Sequence, residues 1–155
     1  MVVLESMSHQ DFKDFLHHAI ADYAQEKVKA GTWEEKEALD RSKEDFDKLL
    51  PQGKNSKDHF LFNIVDPDLN QKIGYFWLNI RDKKGKEAFI YDFFINESYR
   101  GKGYGKQTML AAEKEAKKLG VRKISLHVFG HNQIATELYK KVGYITTDIH
   151  MSKEI

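Results

Sequence analysis

The run Ala88-Phe89-Ile90-Tyr91-Asp92-Phe93-Phe94-Ile95 constrains the fold more than any other part of the chain. Aromatic and branched residues suit a pleated strand, and here they occupy both faces, interrupted by one carboxylate. A strand apolar on both faces belongs at the centre of a sheet covered above and below. The rest of the 155 residues supply that cover, a length at which one domain buries about 68–70% of its extended surface. Val2–Leu4 reads as a short strand. Phe12, Phe15, Leu16, Ala19 and Tyr23 then share a helical stripe behind a Ser8 cap, and Gly31 ends that helix. Thr32-Trp33-Glu34-Glu35 has capping-box spacing, with Leu39, Phe46, Leu49 and Leu50 carrying a second helix to Pro51.

From His59 the period shortens to two. Phe60, Phe62 and Ile64 alternate up to a turn at Asp66-Pro67-Asp68. Ile73–Arg81 and Ala88–Asn96 read as antiparallel strands joined by a tight Asp82-Lys83-Lys84-Gly85 connection. Met109, Ala112, Ala116 and Leu119 form a helical stripe that stops at Gly120, and Ile124–Phe129 is a short buried strand. Asn132 can cap a helix through Ile134, Ala135, Leu138, Tyr139 and Val142, stopped by Gly143, and Tyr144–Ser152 reads as a last strand. The order β-α-α-β-β-β-α-β-α-β predicts a single α/β (α+β) domain over residues 1–155, with helices on both faces of a mixed sheet.

Composition removes several function classes. Net charge is +1, which offers no general attraction to nucleic acid or anionic lipid. The absence of cysteine excludes disulfides, thiolate nucleophiles and thiolate zinc sites. Neither a signal peptide nor a membrane-spanning run is evident, so a cytoplasmic protein is expected. His17 and His18 point in different directions from one helix, and no metal site is expected.

The chemistry concentrates in Tyr99-Arg100-Gly101-Lys102-Gly103-Tyr104-Gly105-Lys106, between a strand and a helix. Glycines admit a close ligand, and a helix N-terminus offers unpaired N–H groups to a phosphate. A plain strand–helix turn would explain an isolated loop of this kind equally well. Gly105-Lys106-Gln107 lacks the Ser or Thr of a P-loop, and Gly101-x-Gly103-x-Gly105 has the wrong spacing for a dinucleotide fingerprint. A protein-kinase loop would join two strands. Arg100, Gly103 and Gly105 instead match Arg/Gln-x-x-Gly-x-Gly. Downstream, Asn132, Ala135, Leu138, Tyr139, Gly143 and Tyr144 match Asn-x-x-Ala-x-x-Leu-Tyr-x-x-x-Gly-Phe/Tyr. On these motifs, and on the element order, the whole chain resembles the GNAT N-acetyltransferases, in particular small Bacillus-type members of unestablished substrate.

That resemblance implies a fold and a site. The GNAT fold has a central mixed, mostly antiparallel sheet of six to seven strands, with central parallel strands that splay apart. Acetyl-CoA or CoA would lie in the splay, no metal being involved. Backbone groups of Phe93, Phe94 and Ile95 would hold the pantetheine, and amides of Arg100, Gly101, Lys102, Gly103, Tyr104, Gly105 and Lys106 the pyrophosphate, with Asn132 nearby. Tyr139 matches the family's acid, which protonates the departing thiolate. The attacking amine must be neutral, which costs more for a lysine-like amine (pKa about 10.4) than for an α-amine (about 7.7–8.0). His127 stands where related N-terminal acetyltransferases carry a glutamate base, and Asp92 would orient water or bind a cationic amine. A sheet-bonded histidine and a structural carboxylate remain open for these two. Trp33, Glu34 and Glu35 fall where the family builds its acceptor mouth, although a capping box also accounts for Glu35. Lys114, Lys117, Lys118, Arg122 and Lys123 read as a solvated face, with contact to the 3′-phosphate of CoA as the alternative.

The expected activity is direct acetyl transfer from acetyl-CoA to a primary amine, either a small molecule or a peptide or protein N-terminus. The alternative is a non-catalytic acyl-CoA sensor of the same fold. Neither nucleic acid nor membrane is an expected partner, and a homodimer is left open.

Overall fold

The computed structural model describes every residue except Lys83 and Gly85, so the tight connection expected at 82–85 lies partly outside the described residues. Its strands are β1 (Val3–Ser6), β2 (His59–Asp66), β3 (Gln71–Ile80), β4 (Glu87–Ile95) and β5 (Lys123–Leu126). The helices are α1 (His9–Lys29), α2 (Glu35–Leu49), α3 (Tyr104–Lys118) and α4 (Gln133–Lys141). The sheet runs β1-β2-β3-β4-β5, antiparallel up to β4, whereas β4 and β5 are parallel.

Helices cover both faces, as the two-faced strand requires. Met109, Ala112 and Ala116 of α3 pack on Ile64, Phe76, Leu78 and Ile90. Phe12, Phe15 and Ala19 of α1, with Phe46 of α2, pack on Leu61, Tyr75 and Trp77 across the sheet. Ser8 caps α1 by accepting from the Asp11 amide at 3.1 Å, and the Asp11 carboxylate accepts in return from the Ser8 amide at 3.0 Å. No described helix is long and apolar enough to cross a membrane.

Several expectations are corrected. The described residues form five strands, not six to seven. Residues 127–129 and 144–155 carry no strand, because neither segment pairs with a described strand past Leu126 or past the Tyr144 amide, which donates to the Tyr139 carbonyl. The second helix starts at Glu35 behind Glu34, later than the expected box at Thr32. The amides of Thr32 and Trp33 are already taken by the Lys27 carbonyl, which closes α1 around Gly31 at φ 76°. Leu39 is 58% exposed. The buried stripe of α2 runs instead through Ala38, Ser42 and Phe46, the Ser42 hydroxyl donating to the Ile20 carbonyl at 2.7 Å. Leu119 likewise lies exposed at the end of α3, and Val121 fills the core there.

One irregularity shapes the site. Trp77 pairs with Asp92 and Leu78 with Ile90, so Tyr91 is an extra residue, a β-bulge in β4. Strict alternation would put Asp92 on the face of Ile90. The bulge reverses this: Phe93 and Ile95 pack with Ile90 on the α3 side, whereas Asp92 pairs with Trp77 on the α1 side. A bulge also bends its strand, and β4 stops pairing with β5 at Ile90↔Leu126, one residue before it.

Candidate active site

Past Ile90, β4 continues to Ile95 with no described strand on its β5 side. Strand backbone groups alternate in direction. The Asn96 amide donates to the Ile73 carbonyl, and the Phe94 carbonyl lies where a Cβ on Gly74 would stand, so both face β3. The groups turned to the gap therefore belong to Phe93 and Ile95, whereas Phe94, also expected to hold the pantetheine, turns its carbonyl to β3. The Ile95 carbonyl already accepts from Arg100 Nε at 2.8 Å, and the Arg100 guanidinium lies 5.0 Å from the centre of the Phe94 ring.

The glycine loop leads from this strand into α3, and its glycines separate into two kinds. Gly101 and Gly103 adopt φ of 74° and 84°, and a side chain on either would meet nothing within 4 Å. Gly103 is the N-cap of α3, and the first helical amide bond is Gln107 N–H to the Gly103 carbonyl. The amides of Tyr104, Gly105 and Lys106 thus lack helical partners at the positive end of a 15-residue helix. Gly105 is small for another reason: a Cβ there would sit 2.9 Å from Leu138, so it lets α4 pack closely on α3. Lys102 Nζ stands 5.8 Å from the Tyr99 ring centre, and the Tyr104 hydroxyl donates to Asp66 at 2.5 Å.

Across the gap stands α4, capped by Asn132, whose side-chain oxygen accepts from the Ala135 amide at 3.2 Å. Tyr139 is partly buried against the α3-side core, its ring 5.9 Å from that of Tyr144. Burial, and next the Asp92 carboxylate, push its phenol well above the ordinary tyrosine range, so it stays protonated. Asp92 itself is pushed up to about 7, first by burial and then by the Asp22 carboxylate, with the Phe93 amide and the Tyr75 hydroxyl pulling the other way. His127 lies just beyond β5 rather than within it. Burial and then Lys27 lower its pKa, which keeps the ring neutral.

Residues that sequence reasoning passed over complete the recess. The Tyr75 hydroxyl hydrogen-bonds His18 Nδ1 at 2.9 Å, and the His18 ring lies 4.4 Å from that of Phe94. Asp22, one turn beyond His18, is also raised from its ordinary value, mainly by burial. A usable signal existed, because His18 and Asp22 are polar residues set beside the apolar stripe of α1. A cavity of about 350 Å3 opens next to this network, lined by Asp11, Phe15, His18, Lys72, Tyr75 and Phe94 among others.

The far side of the mouth is tied to α1. His131 Nε2 meets Glu26 at 2.5 Å, and the Phe129 ring lies 6.4 Å from Tyr23. Trp33, 8% exposed, packs edge-on against Tyr23 at 5.6 Å, so it props that wall from behind. Glu34 is exposed at the α2 N-terminus, 3.3 Å from Lys36. The structure therefore sets Asp92 within electrostatic reach of Tyr139 and packs Gly105 of the loop on Leu138 beside it, whereas the described neighbours of His127 are Lys27 and Phe129, and Trp33 and Glu34 lie at one remove.

Comparison with known proteins agrees with this geometry. The model of the acetyltransferase (GNAT) family matches residues 15–144. YycN of Bacillus subtilis (strain 168), an uncharacterized N-acetyltransferase, is 43% identical over 157 residues covering 99% of each chain. YdgE of the same organism, also an uncharacterized N-acetyltransferase, is 36% identical, covering 98% of this chain and 97% of its own. The crystal structure of YycN superposes with a TM-score of 0.96 at 41% identity, over 100% of this chain and 99% of that one. The fold also matches the PaiA N-acetyltransferase of Thermoplasma acidophilum, solved in complex with coenzyme A, with a TM-score of 0.70 at 22% identity, over 97% of this chain and 93% of that one. A matched family model and two full-length relatives of this similarity place the chain in the GNAT acetyltransferase family.

Proposed function

We propose that the protein is a cytosolic acetyl-CoA-dependent N-acetyltransferase that acts on a primary amine. One observation carries this reading: the unpaired end of β4 leads through the glycine loop to a helix N-terminus whose first three amides lack helical partners. An extended polar chain ending in a pyrophosphate matches both halves of that surface. CoA has that shape, and PaiA, a protein of the same fold, is solved with it. Phe93 and Ile95 bind the pantetheine arm through their gap-facing groups. Arg100 to Lys106 hold the pyrophosphate, with Asn132 fixing the start of α4 beside them.

When bound, acetyl-CoA supplies an activated thioester. Asp92, balanced near neutral pH, accepts the proton of the incoming ammonium, directly or through water. His127, kept neutral by burial and Lys27, is the alternative acceptor in this reading. Tyr139 donates to the sulfur as the C–S bond breaks and thiolate charge develops, and the second proton shed by the attacking nitrogen returns to the phenol oxygen. Its raised pKa makes this mainly a strong hydrogen bond completed late, because a thiol's pKa of about 8.5 lies below that of the phenol. The acidic recess of Asp92 and Asp22, with Glu34 outside, favours a cationic amine. Trp33 holds the wall through Tyr23.

Incubation with acetyl-CoA and a panel of small amines and peptides, read by mass spectrometry, tests the proposal. An acetylated amine with stoichiometric CoA release is expected. CoA binding without turnover across the panel would point instead to a ligand sensor.

A further inference from the structure

His18 takes part in no step derived so far, yet it ends a line of polar groups that begins at Asp92. The register of β3 on β4 pairs Trp77 with Asp92 and Tyr75 with Phe94, so Tyr75 and Asp92 are diagonal neighbours on the α1 face. The Tyr75 hydroxyl reaches the Asp92 carboxylate, and its other partner is His18 Nδ1 at 2.9 Å. Tyr75 is buried and Asp92 partly so, whereas His18 is exposed. Aromatic packing fixes the line. The Tyr75 ring stacks on Phe94 at 5.3 Å and meets Phe15 edge-on at 4.9 Å, and the His18 ring lies against both Tyr75 and Phe94.

A hydroxyl carries one proton, so the two hydrogen bonds of Tyr75 depend on each other. An ionised Asp92 only accepts; Tyr75 then donates to it, and His18 must donate from Nδ1. A protonated Asp92 donates to the Tyr75 oxygen, and Tyr75 then donates to a bare Nδ1. Burial, and next Asp92, hold the Tyr75 phenol well above the ordinary tyrosine range. Tyr75 therefore passes a proton on only by gaining one as it gives one. The outer end opens on water. His18 lines the cavity of about 350 Å3 together with Asp14 and the Asp11–Lys72 ion pair, and polar walls around such a volume suit water. Asp22, one turn along α1, is raised mainly by burial, with charge on His18 the largest opposing influence and Arg100 a smaller one. An imidazolium formed at His18 thus faces a carboxylate.

We propose that Tyr75 and His18 form the route by which the proton taken up by Asp92 returns to water, a step that rests on the acetyl-transfer reading above. Neither residue touches substrate; both act through Asp92. A bound ammonium occupies the Asp92 carboxylate and lets the Tyr75 hydroxyl turn to Nδ1 of a His18 ring protonated at Nε2. Once the amine has given its proton to Asp92, the carboxyl donates that proton to the Tyr75 oxygen. Tyr75 gives its own to Nδ1, and Nε2 releases one to water. Asp92 is ionised again, and His18 is neutral with its proton on Nδ1. Exchange of that proton with water resets the ring. Acetyl-CoA and amine filling the gap would cover the exposure Asp92 keeps, so a side-chain route matters most when both are bound.

Tyr75→Phe and His18→Ala test the route, Phe keeping the ring contacts of Tyr75. Each should lower kcat by at least about 10-fold with KM for acetyl-CoA unchanged, since positioned proton transfer is worth about 10²–10⁴-fold and water replaces part of it. Added imidazole, which the enlarged cavity admits, should restore His18→Ala in proportion to its neutral form and leave Tyr75→Phe slow. Parental kcat in either variant, or rescue of both or of neither by imidazole, overturns the route. A second readout needs no turnover. Above the Asp92 titration, nitrogen NMR shifts of the free protein should show His18 protonated on Nδ1, and Tyr75→Phe should move that proton to Nε2, because the hydrogen bond made by the ring sets its tautomer. A parent ring protonated on Nε2 overturns the route even if acetyl transfer is confirmed. Absence of acetyl transfer in a parent whose His18 is protonated on Nδ1 would sink the acetyltransferase reading and leave the hydrogen-bonded line standing.

Discussion

Asp92 shows how one residue's chemistry depends on a feature invisible to pattern reading. Its residue type and strand were readable, but alternation alone puts it under α3. The Tyr91 bulge, set by the register of β3 against β4, turns it toward Tyr75 and Asp22. A carboxyl held at about 7 in the folded state and 3.8 in an open chain binds more protons when folded. Stability from this group is therefore greatest below pH 4 and falls as pH rises through the folded value. Asp92→Asn should raise the melting temperature at pH 8 and leave it unchanged near pH 3.5. The gain is at most about 4 kcal/mol, since each pKa unit is worth 1.36 kcal/mol, and water reaching the recess reduces it. The same variant should flatten the rise of kcat/KM through neutral pH, and an unaltered pH profile would remove Asp92 from the proton path. Tyr139 was readable from its motif and His18 from its polar place beside the α1 stripe, whereas the pairing of His18 with Tyr75 was not, because it spans 57 residues of sequence. For Tyr139→Phe, kcat should fall by about 10²–10⁴-fold with acetyl-CoA affinity nearly unchanged. A large loss of stability with little loss of rate would make Tyr139 a packing residue.

At the scale of elements, helices were the most legible, since a stripe such as Phe12, Phe15 and Ala19 reports its own buried face. The errors came where two elements share a boundary, as at the α1–α2 turn, where a carbonyl of the first helix took the amides expected to start the second. The glycine loop was legible as a unit but not in its parts. Gly103 requires positive φ in open space, so Gly103→Val should cost only about 1–2 kcal/mol of backbone strain. Its main effect should be loss of CoA affinity, and titration of the folded variant with unchanged affinity would reduce the loop to a connector. Gly74 gave no sequence signal, yet a Cβ there would lie 2.0 Å from the Phe94 carbonyl oxygen. Gly74→Ala must push β3 off the gap-lining end of β4. We expect a loss of about 3 kcal/mol, at the upper end of overpacking effects. Chemical denaturation that leaves this variant as stable as the parent would contradict the close approach.

For the whole molecule, the layered architecture was readable from the single strand at 88–95, but the strand count was not. Local pattern records the propensity of residues 144–152 to be extended; it carries no information on which backbone will pair with them. The early end of β4–β5 pairing was likewise implied only by resemblance, and the bulge one residue past the last β4–β5 pair is set by tertiary register. The open gap leaves the end of β4 and the start of α3 with unmet polar groups, and a ligand that meets them should stabilise the native state as a whole. CoA at 100 times its dissociation constant adds about 2.7 kcal/mol if it binds only the folded chain. At this chain length roughly 2–4 °C accompany each kcal/mol, so the melting temperature should rise by about 5–10 °C. The shift should shrink with added salt, because Arg100, Lys102 and Lys106 act on the phosphates through exposed charge. ATP and NAD share the pyrophosphate but lack the pantetheine arm that the unpaired end of β4 would hold, and they should give smaller shifts. If ATP or NAD stabilises the protein while CoA does not, the gap is not a CoA site and the assignment of acetyl transfer falls with it.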